Sequence, residues 1–379
     1  MKLALVLALL LSQAQGKPAL PETLQSKHYD LKTSGTKEQG QELLDFMELV
    51  HQTYMALLKP ENAAEVEKRK FTIVLYRDSE EYVKAGAPPG SGAYYNGKEL
   101  VGWYDPTFMR PFFAHEGMHQ FTDATSKNFK DFHMWFTEGI ADCIGNCEVR
   151  NNKLYMCVKS GMIARMRLQL IQAAIRQGAV YPLRALLTLP RNEFMRNADL
   201  CYAQSWSFCH FLITYPKEED RSVQIPNGRF RKNLAMYYEA VRAGGTTHTK
   251  AWEEAFAGIP LQELEAAWKK YVLELDAGKF IGIVGKEVPQ EELEKLPLDA
   301  GFSAIRIDEV VAEGVAGKAG IKAGDFIVRF DGKRFPRHDA MNRLRVWMQD
   351  VPYGRAIKVV VLREGKEVEC LCKWEAPKK

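Results

Sequence analysis

The sequence predicts an α+β protein: a small mixed sheet with its helices and a mainly helical second lobe, followed by a β-rich C-terminal domain of barrel or sandwich type. Three observations carry this expectation. β-rich runs alternate with helical periodicities up to about residue 104, and the stretch 161–275 is almost wholly helical in its apolar spacing. From Phe280 onward the chain shifts to short apolar runs divided by glycine turns. With 379 residues and 46% hydrophobic content, the chain has length for one large core and for two domains. A net charge of +4 on 26% charged residues is near balance. No basic block carries interleaved aromatics, so no nucleic-acid partner is implied.

At the N-terminus, Lys2 precedes the apolar run Leu3–Leu11, and Ala14-Gln15-Gly16 offers small residues where a signal peptidase reads. Residues 1–16 therefore read as a cleaved secretory signal and the protein as exported, periplasmic or extracellular. The apolar run is far short of the about 20 residues that span a bilayer as a helix, so no transmembrane segment is expected in the mature chain. Two domains are expected after it, 17–277 and 278–379.

His28-Tyr29-Asp30 opens a strand. From Lys37 to Leu58, Leu43, Leu44, Phe46, Met47, Val50, Tyr54 and Leu57 recur at helical intervals and stop before Pro60. Phe71–Tyr76 reads as a strand and Asp78-Ser79-Glu80 as the start of a short helix. Tyr94–Tyr104 reads as a hairpin turned at Asn96-Gly97. Cys147 and Cys157 flank an Asn151-Asn152-Lys153 turn and are either a cross-strand disulfide or two buried thiols. Helical spacing is clearest over 163–175, 202–213, 233–241 and 261–275, and the charged stretch 217–230 reads as a surface loop. Cys370 and Cys372 share one strand face and are too poorly disposed to bond each other. Seven cysteines are an odd number, so at least one thiol is free or bonds another chain.

The chemistry concentrates in His115-Glu116-Gly117-Met118-His119 and in Glu138, nineteen positions past the second histidine. Residues i and i+4 lie about 40° apart around a helix, so His115 and His119 can aim at one ion. Glu116 lies about 100° round from His115, placed to touch a water rather than to be a third ligand. Glu138, at the head of a second helix, supplies that ligand, and Asp142 one turn later accepts the spare N–H of a ligating histidine. Three protein ligands and an open position suit one catalytic zinc ion per chain, which lowers the pKa of a water there to about 7. Glu116 is then the general base that takes its proton.

HExxH, eighteen residues and Glu in a Trp-x-x-Glu-Gly-x-Ala context resemble the gluzincin metallopeptidases, with the spacing of the aminopeptidase and leukotriene-hydrolase branch. No His-x-x-Gly-x-x-His continuation follows, so the metzincin pattern is absent. The resemblance implies a zincin-like catalytic domain and a polypeptide substrate. Tyr202-Ala203-Gln204-Ser205 is similar to the segment in which that branch carries a tyrosine that hydrogen-bonds the oxyanion, which implies that role for Tyr202. Gly92-Ala93-Tyr94-Tyr95-Asn96 falls where that branch has an edge strand whose glutamate holds the substrate amine. Ala93, Tyr94 and Tyr95 keep the strand for pairing with substrate, but Tyr95 replaces the glutamate, which favours cleavage within a chain over N-terminal trimming. The order of features across 28–275 is similar to the peptidase MA-like families.

The string from Ala316 to Gly332, with Ala319-Gly320-Ile321-Lys322-Ala323-Gly324-Asp325-Phe326-Ile327 at its centre, resembles the signature of bacterial PDZ domains. That resemblance implies a groove between the loop Ile281-Gly282-Ile283, whose N–H groups take a C-terminal carboxylate, and a helix over 338–349, with a C-terminal or extended peptide as ligand. The leading reading is a secreted zinc endopeptidase with PDZ-assisted substrate binding. A PDZ scaffold with an inactive zinc domain, and a zinc hydrolase acting on other bonds, are the alternatives. His51, His133, His210, His248 and His338 fit no ligand spacing and read by default as surface or satisfied core histidines.

Overall fold

The computed structural model describes residues 18–376 apart from 89, 107–108, 128, 159–161, 217–222, 277, 300 and 337–339. The expected secretory signal, residues 1–16, and the expected start of the last helix at His338 therefore lie outside the described residues. The fold is a mixture of helices and strands in two units, Met1–Leu275 and Asp276–Lys379.

In the first unit, β1 (Glu22–Gln25), β2 (Tyr29–Thr33), β3 (Phe71–Tyr76), β4 (Ala93–Tyr95) and β5 (Glu99–Trp103) form one mixed sheet in the order β1-β2-β3-β5-β4. The three inner strands β2, β3 and β5 are parallel; the outer strands β1 and β4 are antiparallel to their neighbours. Parallel neighbours need a crossover, and α1 (Lys37–Leu58) supplies the one from β2 to β3. Thr36 and Gln39 close a capping box at its start, and Lys59 ends it in the left-handed region at φ 47°. Asn96 sets the β4–β5 hairpin by accepting from the N–H groups of Lys98 and Glu99 at 2.9 and 2.8 Å, and β4 is left as the sheet edge.

Seven longer helices complete this unit: α2 (Met109–Thr125), α3 (Met134–Gly145), α4 (Met162–Arg176), α5 (Ala198–Thr214), α6 (Arg231–Ala243), α7 (His248–Ala255) and α8 (Leu261–Glu274). Trp135 of α3 joins three of them, its ring centroid 5.2 Å from Tyr237, 5.6 Å from Trp252 and 5.7 Å from Phe208. Strands β6 (Glu148–Arg150) and β7 (Lys153–Tyr155) form a hairpin whose turn is two residues, Asn151 and Asn152, at φ 51° and 56°. The expected three-residue loop is thus one residue too long. The register pairs Glu148 with Tyr155, which puts Cys147 and Cys157 out of step, and all seven cysteines are free thiols.

The second unit is an antiparallel sheet of β8 (Ile283–Glu287), β9 (Phe302–Ser303), β10 (Ile305–Val310), β11 (Phe326–Phe330), β12 (Lys333–Pro336), β13 (Ala356–Arg363) and β14 (Lys366–Lys373), with α9 (Val315–Lys318) and α10 (Ala340–Asp350). Its order is β14-β13-β11-β10-β8, with β12 pairing both β11 and β9. Among the described residues it does not close, which corrects the barrel alternative. Along one edge of β11, Phe326 and Ile327 pair with β10 and Arg329 and Phe330 with β12, while the pairing with β13 on the other edge shifts register between Ile327 and Arg329. Ile305, Ile327, Phe330, Phe335, Val359 and Cys372 fill the core. Asp325, 1% exposed, accepts two bonds from Arg363 at 2.8 and 2.7 Å and one from the Lys322 N–H at 2.8 Å, which fixes the glycine-rich loop of the signature string.

Candidate metal centre

Helix α2 is sequestered between the sheet and the helical lobe. Its Gly117 faces α1, where an added Cβ would lie 2.8 Å from both Met47 Cε and the Tyr54 hydroxyl. That hydroxyl donates to the Ala114 carbonyl at 2.6 Å, pinning the turn just before His115. On α3, Gly139 meets the α5 backbone so closely that a Cβ would fall 2.5 Å from the Ser205 carbonyl oxygen. The two helices therefore approach at a glycine next to Glu138.

This packing brings His115, His119 and Glu138 together. The Nε2 atoms of the histidines are 3.3 Å apart, and Glu138 Oε2 lies 3.3 Å from His115 Nε2 and 3.5 Å from His119 Nε2. Ligand atoms 2.0–2.1 Å from a tetrahedral centre are separated by about 3.4 Å, so the triangle has the dimensions of one zinc ion's ligand set. Glu138 Oε2 is buried without a hydrogen-bond partner among the described residues. Burial would raise the Glu138 carboxyl, but the neighbouring His119 and His115 hold it well below the usual carboxylate range. The donor set of two imidazoles and a carboxylate suits zinc.

Asp142, 2% exposed, sits one turn beyond Glu138 and contacts His115 Nδ1 at 2.9 Å, leaving Nε2 for the centre. Its other oxygen pairs with Arg167 Nε on α4. The Arg167 guanidinium also lies 4.8 Å over the Tyr202 ring. Burial first, then the carboxylates of Glu138 and Asp142 and a hydrogen bond with Glu138, push the Tyr202 hydroxyl above the usual phenol range. Tyr202 thus faces the cluster, its ring against Phe194 at 5.5 Å.

Glu116 also has a carboxylate oxygen within 4.8 Å of both histidines' ligand nitrogens, so two carboxylates flank the pair. It is engaged elsewhere: Glu116 Oε2 accepts from the Tyr95 N–H of edge strand β4 at 2.9 Å. The Tyr95 hydroxyl donates to Asp123 at 2.6 Å, tying β4 to α2 at a second point. Ala93 is buried and Tyr94 half-buried beside it.

One sequence expectation changes. Helix α3 begins at Met134 with His133 as its cap, not at Glu138; all twelve of its residues are buried, so no amphipathic period marks its start. His210 is a satisfied core histidine, as its lack of a ligand spacing implied, with Nε2 3.2 Å from the Cys157 carbonyl and Nδ1 2.9 Å from the Tyr271 hydroxyl. Arg167 was not legible, because nothing in its spacing ties it to Asp142. In the second unit, the Gly282 carbonyl accepts from Val311 at 2.8 Å and the Ile281 carbonyl from Ala316 at 2.7 Å, with Gly282 at φ 85°. Ile283 heads β8, which ends the sheet.

Similarity to known proteins is partial. The family described as "Protein of unknown function (DUF1570)" matches residues 112–225, the stretch from α2 into the loop after α5. The periplasmic serine endoprotease DegP of Salmonella typhimurium is 36% identical over 88 residues, 23% of this chain and 18% of DegP. DegP of Escherichia coli K12 is 35% identical over 88 residues, with the same shares. The chain therefore spans under a fifth of the length of these curated relatives. Among solved structures, the HtrA-type protease AlgW with decapeptide aligns at TM-score 0.23 and 22% identity, over 32% of this chain and 37% of that one. An aminopeptidase N family protein from Idiomarina loihiensis aligns at TM-score 0.37 and 14% identity, over 94% and 67%. The chain is thus related over part of its length to periplasmic peptidases.

Proposed function

We propose that this protein is an exported zinc-dependent metallopeptidase that cuts within polypeptide chains. The observation that carries the reading is the triangle of His115 Nε2, His119 Nε2 and Glu138 Oε2, 3.3–3.5 Å on a side, with Asp142 behind His115. When bound there, zinc supplies a Lewis acid that polarises the scissile carbonyl and acidifies the attacking water. Glu116 takes the proton of that water and returns it to the leaving amine. Tyr202 donates its hydroxyl to the developing oxyanion, a role its raised pKa supports because the proton is retained at working pH. β4 would offer its outer edge to an extended substrate, with Ala93, Tyr94 and Tyr95 as the pairing residues. Tyr95, hydrogen-bonded to Asp123, presents no carboxylate to a substrate amine, which supports internal cleavage.

The second unit is proposed as a PDZ-type module. Ile281, Gly282 and Ile283 would take a peptide carboxylate, and β8 a peptide strand, which raises substrate concentration near the zinc unit. The DegP likeness supports a peptide-binding scaffold as the second reading. Mass-spectrometric cleavage of a peptide library by the wild-type protein, beside Glu116→Gln and a chelator control, tests both. Internal cuts lost in both controls support the peptidase; no cleavage with peptide still bound supports the scaffold.

A further inference from the structure

Away from this centre, a second cluster of metal-ligating side chains lies where β1, β2 and α1 meet. His28, 2% exposed, precedes β2; His51, fully buried, lies on α1; Glu67 follows the helical turn Ala63–Val66. One ligand atom from each lies within 4.8 Å of the others. His28 Nε2 is 3.3 Å and His51 Nε2 3.8 Å from the Glu67 carboxylate.

Two independent features point to an ion. The first is Glu48, whose oxygens take the His28 backbone N–H at 2.7 Å and His28 Nδ1 at 2.6 Å. A carboxylate on Nδ1 sets the tautomer that leaves the lone pair of Nε2 facing outward as a metal ligand, the role Asp142 plays for His115. With Nδ1 donating to Glu48, Nε2 and a Glu67 oxygen are two acceptors face to face unless a cation or a further proton lies between them. The second is His51. Neither of its ring nitrogens has a hydrogen-bond partner among the described residues, although it is enclosed by Tyr29, Phe71 and Phe121. Buried polar groups are nearly always satisfied, so an orphan imidazole against a histidine and a carboxylate calls for a ligand.

We infer that His28, His51 and Glu67 form a second site for a divalent transition-metal ion of the zinc class, oriented by Glu48 and joining the N-terminal strands to α1. Two imidazoles and one carboxylate select such an ion over calcium or magnesium. The half-exposed Glu67 is the entry point. The rings of His28 and His51 are stacked at 3.9 Å with 18° between planes, so ligation splays them; His51 breaks no hydrogen bond in moving. Lys27, whose Nζ is 2.6 Å from Glu67 Oε2, competes with the ion for that oxygen.

The test is zinc stoichiometry of the full-length protein by plasma mass spectrometry after equilibration with Zn²⁺, repeated with Co²⁺ by visible absorption. Wild type should hold two ions, and His51→Gln, Glu67→Gln and His119→Gln one each; the His51→Gln/His119→Gln pair should hold none. Glu48→Gln should weaken the second ion by about 10–100-fold, and Lys27→Gln should tighten it. Glu67 is partly exposed, so Glu67→Gln decides the matter if His51→Gln does not fold. Equal metal counts in wild type and Glu67→Gln, or a single ion that His119→Gln removes, overturn the proposal. A single ion that survives His119→Gln but not Glu67→Gln supports it and overturns the reading of the first centre instead.

Discussion

Asp142→Asn separates the positioning of His115 from its ligation. Asparagine keeps the size and retains an oxygen that can accept from His115 Nδ1, now 2.9 Å from Asp142, but it removes the charge. Loss of such a carboxylate partner weakens metal binding by about 10–100-fold, which is about 1.4–2.7 kcal/mol. The same change strands Arg167, paired with the other oxygen of Asp142. Removing one partner of a fully buried pair costs about 3–5 kcal/mol; with 21% of the Arg167 side chain exposed, partial rehydration brings this to about 2 kcal/mol. Zinc affinity is read by competition with a chromogenic chelator, and stability by urea unfolding in excess EDTA. Adding Arg167→Gln should restore most of the stability and none of the affinity, because only the fold suffers from the stranded cation. A folded Asp142→Asn protein with zinc affinity within twofold of wild type would refute the assignment of Asp142 to His115.

Glu116→Gln keeps an oxygen for the Tyr95 N–H and should lower kcat by about 10²–10⁴-fold while zinc stays bound, measured on any peptide the wild type cuts. Gly139→Ala forces a Cβ to 2.5 Å from the Ser205 carbonyl; thermal unfolding should show a loss of about 1–3 kcal/mol, and chelator competition a weaker site. Asp325→Ala leaves Arg363 only its bond to the Gly320 carbonyl and the Lys322 N–H unsatisfied; with 27% of the Arg363 side chain exposed, the second unit should lose about 2 kcal/mol in denaturant titration. Burial first, then His248, lowers the His133 pKa from 6.5 to about 4. Between those values the unfolded chain takes up a proton that the folded chain refuses, so His133's contribution is complete above about pH 6.5. It is lost as pH falls toward 4, by at most about 3 kcal/mol; His133→Asn, whose amide oxygen can take the Trp135 N–H in place of the ring Nδ1, should remove that share of the slope in a pH series of denaturant titrations.

What was legible in the sequence was whatever is local. The i,i+4 histidines, the Asn96-Gly97 hairpin and the α1 periodicity each depend on neighbours within a few residues, and the structure has each where the spacing put it. The start of α3 escaped because a helix buried on every side has no polar face to mark its phase. Arg167 and His51 escaped for another reason: Arg167 meets Asp142 across 25 positions, and His51 meets His28 and Glu67 across 23 and 16, distances that only the packed fold closes. His51 also lies at an apolar phase of α1, where a ligand and a core residue read alike. The register shift of β11 against β13 leaves no mark that hydrophobic alternation can carry.

The bond from the Tyr95 N–H to Glu116 joins two things that peptidase chemistry needs to happen together. The strand that would line up a substrate also holds the group that would move its proton. A peptide seated badly along β4 disturbs the aim of the carboxylate, whereas one seated in register leaves it alone. Fidelity of alignment would then be felt as a change in turnover rather than in affinity, and truncated substrates that barely engage the edge should be bound yet cut slowly.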